Sequence, residues 1–307
     1  AGCFFCRRFS VTMLHAAHIL CLVSPTSAAL RQAAYLARRL DATLHAVPHP
    51  SFGPEETTLP GDMGDLRDGG DAVGAAAEIP TRRPEPIPDS PSAVLEYVAD
   101  ADIDLVVADT PPDRGPVPPL ATEVTQTLVT QLDRPLFVVE QVTRPADLHD
   151  LLVPIDFSDR ALQAFRHAVA LARQYDATIH ALHVVDSLPY VALTPTDRLS
   201  LGSTPLSEHR GRRRLQAFLR EPDSADVRVC AHLAYGDVAD EVARFVGRKH
   251  IDLLVLASHG GDSGPHEGLG DGTERVLGRV TCPVFLCRVF GTSLLAPASD
   301  PGASSIS

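Results

Sequence analysis

Two segments of the chain gather residue types able to do chemistry. The first opens at Ala257 and continues Ser258-His259-Gly260-Gly261-Asp262-Ser263-Gly264-Pro265-His266-Glu267-Gly268-Leu269-Gly270-Asp271-Gly272-Thr273. In it His259, His266, Asp262 and Glu267 carry the nitrogen and oxygen donors a divalent cation accepts. Histidines this close in a glycine-rich segment are ordinarily solvated, so no metal is expected. The second is Asp156, a carboxylate directly after the apolar run Leu151 to Ile155. Cys3 and Cys6 form a C-x-x-C with no second pair and no strand-to-helix turn beside it, so neither metal nor redox use is expected there. Gly69-Gly70, within Asp62 to Gly74, reads as part of a loop and not as a nucleotide cradle. No G-x-S-x-G elbow and no Ser/His/Asp or Cys/His constellation can be assembled, so no catalytic residue is assigned.

The elements that must hold these residues are written twice. Leu36-Ala37-Arg38-Arg39-Leu40-Asp41-Ala42-Thr43-Leu44-His45-Ala46 reads against the stretch from Leu171 to Ala181 at an offset of 135 residues. Ile103-Asp104-Leu105-Val106-Val107 matches Ile251 to Val255, and Arg134-Pro135-Leu136-Phe137-Val138 matches Cys282 to Leu286, both at 148. In the second copy, Leu151 to Ile155 has the continuous apolarity of a strand buried on both faces. Ser158 then offers an N-cap, and Ala161, Leu162, Phe165, Ala168, Val169 and Ala172 recur at helical spacing. Further strands are expected at Ile179 to Val185, Val227 to Leu233, Ile251 to Ala257 and Val284 to Val289, with helices at Ser207 to Leu219, Val238 to Arg248 and Gly272 to Arg279. Strands alternating with helices make an α/β fold, here two tandem doubly wound, Rossmann-like domains with five-stranded parallel sheets. In such sheets ligands bind outside the carboxyl ends of the strands, which selects Asp156 and the segment from Ala257.

Val153-Pro154-Ile155-Asp156-Phe157-Ser158, His183-Val184-Val185 and the glycine-rich segment followed by Cys282-Pro283-Val284 together resemble the universal stress protein family. The resemblance covers residues 147–290 well and residues 14–140 weakly. It implies the adenine nucleotide alpha hydrolase-like fold and, in nucleotide-binding members, the pattern G-x2-G-x9-G-S/T, whose backbone N–H groups wrap phosphates. On this chain the pattern falls at Ala257, Gly260, Gly270 and Asp271. By the same resemblance Asp156 and Val184 hold the nucleoside, Thr273 lies near the phosphates, and the ligand is ATP, with Mg2+ if bound.

Ala257 and Asp271 depart from the pattern. An aspartate at 271 can cap the following helix itself and places a carboxylate where phosphate should lie. Two like charges about 4 Å apart cost about 4 kcal/mol at an effective dielectric of about 20, on the order of a thousandfold in affinity unless Mg2+ bridges them. The first copy departs further: Ser24 stands for Asp156, Asp109-Thr110-Pro111-Pro112 for the start of the glycine-rich segment, and Thr122-Glu123 for Gly270-Asp271. Nucleotide binding is not expected there.

The 307 residues suffice for two domains, and 44% hydrophobic with 21% charged residues is a globular composition. A net charge of -12 argues against a nucleic-acid partner, and the basic run Arg210 to Arg214 reads as a solvated helix face. Six scattered cysteines fit a reducing cytoplasm, and Cys282 and Cys287 stand too far apart along a strand for a disulfide. Arg7-Arg8, the apolar stretch Val11 to Val23 and Ser27-Ala28-Ala29 resemble a secretory signal, but Ile19 to Val23 is needed as a first strand and the stretch is too short to span a membrane. The expected organisation is an extension at 1–13, an eroded domain at 14–142, a better preserved one at 147–290 and a disordered tail at 291–307. His49 to Pro91 breaks the first copy and leaves its third strand in doubt. The halves are expected as stacked twins resembling a covalent dimer, in contact through Leu136 to Val139 and Val284 to Val289, with further homodimerisation open. A cytoplasmic stress-response binding protein is the leading reading, against a slow ATP-dependent hydrolase or nucleotidyl transferase and a ligand-free interaction module.

Overall fold

In the computed structural model the described residues are 13–23, 28–50, 79–82, 84, 90–109, 123–139, 148–185, 205–220, 224–258, 269–288 and 293–295. The first half contributes β1 (His18–Val23), α1 (Ala28–Leu40), β2 (Thr43–Pro48), β3 (Thr81–Arg82), α2 (Pro91–Asp100), β4 (Leu105–Asp109), α3 (Glu123–Gln131) and β5 (Leu136–Val139). The second contributes β6 (Asp150–Pro154), α4 (Asp159–Tyr175), β7 (Thr178–Val185), α5 (Pro205–Phe218), β8 (Arg228–Tyr235), α6 (Val238–Lys249), β9 (Leu253–Ala257), α7 (Asp271–Leu277) and β10 (Val284–Cys287).

All ten strands form one sheet, ordered β3-β2-β1-β4-β5-β10-β9-β6-β7-β8. Within each half neighbouring strands run parallel, as right-handed crossovers require, and β1 and β6 lie at the centres of matching five-stranded sets. The third strand of the first half is present but only two residues long. The halves meet edge to edge, β5 against β10 antiparallel with Phe137 opposite Phe285, and are not stacked as layers. Edge pairing satisfies the backbone groups that two apolar edge strands would otherwise expose. The two phenylalanine rings meet edge to face with centroids 5.8 Å apart, and both are fully buried.

Each face of the sheet carries one apolar cluster running through both halves. On one side α1 and α4 contribute Leu30, Leu36, Phe165 and Leu171, with Leu215 and Phe218 of α5; on the other, α2, α3, α6 and α7 contribute Val94, Leu128, Val242 and Leu277. The doubled Ile-Asp has a structural cause. Asp104 accepts the backbone N–H groups of Ala17 and His18 at 2.7 and 3.0 Å, and Asp252 accepts those of His149 and Asp150 at 2.9 Å each. Each carboxylate thereby fixes the entry of its central strand. Ser158 caps α4 by accepting from Ala161 N at 3.1 Å. Asp41 and Asp176 both take left-handed backbone at φ 55° and 52°, ending α1 and α4 in the same way; aspartate tolerates this conformation better than bulkier residues do.

Other contacts tie the halves beyond the strand pairing. Arg288, 6% exposed, donates to the carbonyls of Leu128 and Val129 at 2.8 and 2.6 Å, closing the carboxyl end of α3 from the other half. Ser293–Leu295 was expected to fray. Instead Leu294 is buried, Leu295 bridges to Leu14, and His15 N donates to Leu294 O at 2.7 Å. Ser293 Oγ also lies 3.3 Å from Nε2 of buried His167.

Asp252→Ala should lower stability by about 1–3 kcal/mol, because two N–H groups lose their acceptor; urea unfolding measures this. Burial lowers His167 from 6.5 to about 4. Protons therefore bind the unfolded chain first, and the His167 contribution, complete above pH 6.5, is lost as pH falls toward 4. The urea midpoint should drop across that window, and less steeply in His167→Gln.

Candidate functional site

The two halves differ at the place where strand order reverses. In the first, β1 and β4 stay in register for four residue pairs, from Ile19↔Leu105 to Leu22↔Ala108. In the second, β6 and β9 pair only at Leu151↔Leu253 and Leu152↔Leu254. Beyond these, each strand bonds outward: Ile155 N donates to Leu182 O at 2.8 Å on β7, and Ser258 N to Cys287 O at 2.9 Å beside β10. The β6–β9 ladder therefore ends after two pairs, at the topological switch point where α/β sheets take ligands, and the candidate crevice lies between the two strand ends.

One bank carries Asp156 and Val184. Asp156 is exposed at the end of β6, and its Oδ1 accepts from Ser158 N at 2.9 Å and Ser158 Oγ at 2.5 Å, which orients the carboxylate. Val184 is buried near the end of β7. Phe157 follows Asp156 at φ 66°, a left-handed conformation that costs a bulky residue about 1–3 kcal/mol and is tolerated where a site needs it. Its ring packs 4.3 Å from that of His183, whose Nδ1–H donates to Ile155 O at 2.7 Å. Burial is the main cause that lowers the His183 pKa, with a further lowering from Arg214 and opposing contributions from the Ile155 bond and Asp156.

The other bank is Ala257, Ser258, Gly270, Asp271 and Thr273; Gly260 lies outside the described residues. The Thr273 hydroxyl donates to Ala257 O at 3.1 Å and Gly270 N donates to Ser258 O at 3.1 Å, stapling the start of α7 to the end of β9. Thr273 is buried and its donor is spent on the protein, so it supports the bank and does not present a hydroxyl proton to phosphate. The sequence allows Asp271 to cap the helix. The cap is Gly270, with no side-chain hydrogen bond, and Asp271 is the exposed first residue of α7. The N–H groups of the first turn are thus not taken by an aspartate cap, while the Asp271 charge still stands at the helix start.

The cations of α7 and of the turn after it are paired with α6 and its cap. Arg275 is paired with Asp237, and Arg279 with Asp240 at 3.1 Å, fastening α7 to α6. In the first half, His49 and Asp109 occupy the positions of Val184 and Ala257 and are fully buried, burial lowering His49 to about 4. The first half thus carries buried polar side chains at the ends of β2 and β4.

The far ends of the strands hold a second polar group. His180 is bonded through Nε2 to Asp150 at 2.8 Å and through Nδ1 to His232 at 3.0 Å, which engages both ring nitrogens. A groove of about 370 Å3 nearby is lined by Arg173, Asp226 and Arg228, but Arg173 closes on Asp226 in a two-pronged pair at 2.8 and 2.7 Å. Among the described residues no group of three or more His, Cys, Asp or Glu side chains could hold a metal ion. The candidates His259, Asp262, His266 and Glu267, like Cys3, Cys6 and the Gly69-Gly70 segment, lie outside the described residues. Among the described residues no helix is long and apolar enough to cross a membrane. Sequence reasoning did not find Arg214, which α5 lays over Phe157 with its guanidinium carbon 4.2 Å from the ring centroid.

Comparison with known proteins matches residues 148–288 to the universal stress protein family. A universal stress protein of Methanocaldococcus jannaschii is 30% identical over 138 residues, which are 45% of this chain and 81% of that protein. The solved structure of a universal stress protein from Archaeoglobus fulgidus is 14% identical with a TM-score of 0.53, and the match covers 89% of this chain and 98% of that one. A universal stress protein solved in complex with cAMP is 20% identical with a TM-score of 0.34, covering 48% of this chain and 98% of that one.

Thr273→Val should free the Ala257 carbonyl and loosen the second bank. Amide exchange at Gly270 should quicken and stability fall by about 0.5–1.5 kcal/mol, as hydrogen exchange and urea unfolding would read together.

Proposed function

The chain belongs to the universal stress protein family, and from that premise we propose that it is a cytoplasmic regulatory binding protein whose second half alone takes an adenine nucleotide, ATP, in the crevice between β6 and β9. The supporting observation is the ladder that stops after Leu152↔Leu254, since it leaves room between Asp156 and Gly270 that the four-pair β1–β4 ladder denies the first half. Asp156 and Val184 would hold the nucleoside, and Ala257, Gly260, Gly270, Asp271 and Thr273 would form the phosphate bank. Gly270 as a cap without a side chain keeps backbone donors of α7 available, which favours an anion there. Asp271 opposes it, so Mg2+ would be needed between the carboxylate and the phosphates. The hydroxyl of the second bank, Thr273, spends its donor on Ala257 O, which favours binding over hydrolysis or nucleotidyl transfer.

Calorimetric titration with Mg-ATP tests this reading. Saturable binding should be abolished by Gly270→Val and strengthened by Asp271→Ser, by up to on the order of a thousandfold if the carboxylate meets phosphate directly. Absence of heat from both the wild type and Asp271→Ser would refute it and leave the interaction module as the reading.

A further inference from the structure

We propose that Arg214 is the residue that selects phosphorylated over unphosphorylated ligands in the β6–β9 crevice, its guanidinium seated on Phe157 beside Asp156 as the positive charge the glycine-rich segment lacks. The inference rests on the crevice reading above and adds the chemical class it favours. Between Gly260 and Gly270 the sequence has neither Lys nor Arg, and Arg275 of α7 and Arg279 just beyond it are committed to Asp237 and Asp240. Arg214 comes from elsewhere. It projects from α5, whose Leu215 and Phe218 are anchored in the core, so the helix that carries it is fixed. The side chain itself is exposed, and among the described residues it makes no ion pair; its recorded partner is the face of Phe157 at 4.2 Å.

A guanidinium held over a ring face by its charge can still donate through its N–H groups, which is how arginine serves a phosphate with two parallel bonds. Phe157 is itself held. Its ring lies against His183 at 4.3 Å and Phe218 at 5.9 Å, and its left-handed backbone carries the ring out of the strand directly after Asp156. The Arg214 charge reaches His183, on which Asp156 also acts, so the cation stands in the electrostatic field of the first bank. The tier has no counterpart in the first half, where Pro48 replaces His183 and Pro25 replaces Phe157. A solvated arginine run and an aromatic residue near a strand end are unremarkable separately; the fold brings them together next to Asp156.

The test compares wild type, Arg214→Met, which keeps an apolar stem on Phe157, and Arg214→Lys, which keeps the charge without the planar fork. Mg-ATP and adenosine are titrated by calorimetry. Inorganic tripolyphosphate is titrated separately, with the His183 ring resonances as reporter. The expectation is that Arg214→Met weakens Mg-ATP roughly ten- to a hundredfold, leaves adenosine unchanged and abolishes the tripolyphosphate response at His183, with Arg214→Lys in between. Nucleotide binding with the same ATP-to-adenosine ratio in wild type and Arg214→Met overturns the role of Arg214 while the crevice reading stands. A chain that binds no nucleotide but shows an Arg214-dependent tripolyphosphate response loses the nucleotide reading and keeps the anion seat. No response to either ligand in the wild type overturns both.

Discussion

Everything in this molecule is arranged around the antiparallel pairing of β5 with β10. Each half ends in a strand of four buried apolar residues, and a sheet edge of that kind exposes unpaired backbone groups and apolar side chains together. Joining the two edges removes both costs and puts Phe137 against Phe285. The remaining contacts between the halves depend on that alignment. Arg288 follows β10 and reaches α3 because β10 lies beside β5, and α1 meets α4 across the same line, where Tyr35 and Tyr175 stack at 5.2 Å and Gln32 bonds to Tyr175.

Duplication explains what is alike in the halves, and departures from it set the candidate site apart. Asp104 and Asp252 grip the entry to β1 and β6 in the same way. At the opposite end of the same strands the likeness stops. The first half keeps its central ladder closed and buries His49 and Asp109, whereas the second lets β6 and β9 part and surrounds the gap with Asp156, Phe157, His183 and the staple from Thr273. Stability is the shared inheritance, and the opening belongs to one copy.

Much of the architecture was legible because it is carried by periodicity. Leu151 to Ile155 declared a strand buried on both faces, Ser158 declared a cap, and the repeated Ile-Asp marked the two fourth strands. Features that depend on backbone angles or on distant partners were not legible. Gly270 caps α7 in place of Asp271 because the helix begins one residue earlier than side-chain chemistry suggests, a difference set by φ and ψ. Leu294 looked like part of a polar tail, and only its bridge partner Leu14, nearly the whole chain away, accounts for its burial. Arg214 reads as one member of a solvated run until α5 is laid beside the end of β6.

The closed ladder of the first half also fixes the arithmetic of any ligand the second half accepts. A symmetric pair of identical subunits offers two equivalent seats, and filling one can steepen or blunt the filling of the other. If the second half alone takes a ligand, as proposed, each chain holds one, and a chain acting alone would fill along a simple hyperbola over about two decades, from about 9% to 91% saturation. On that reading the chain would act as a graded gauge and not as a threshold switch.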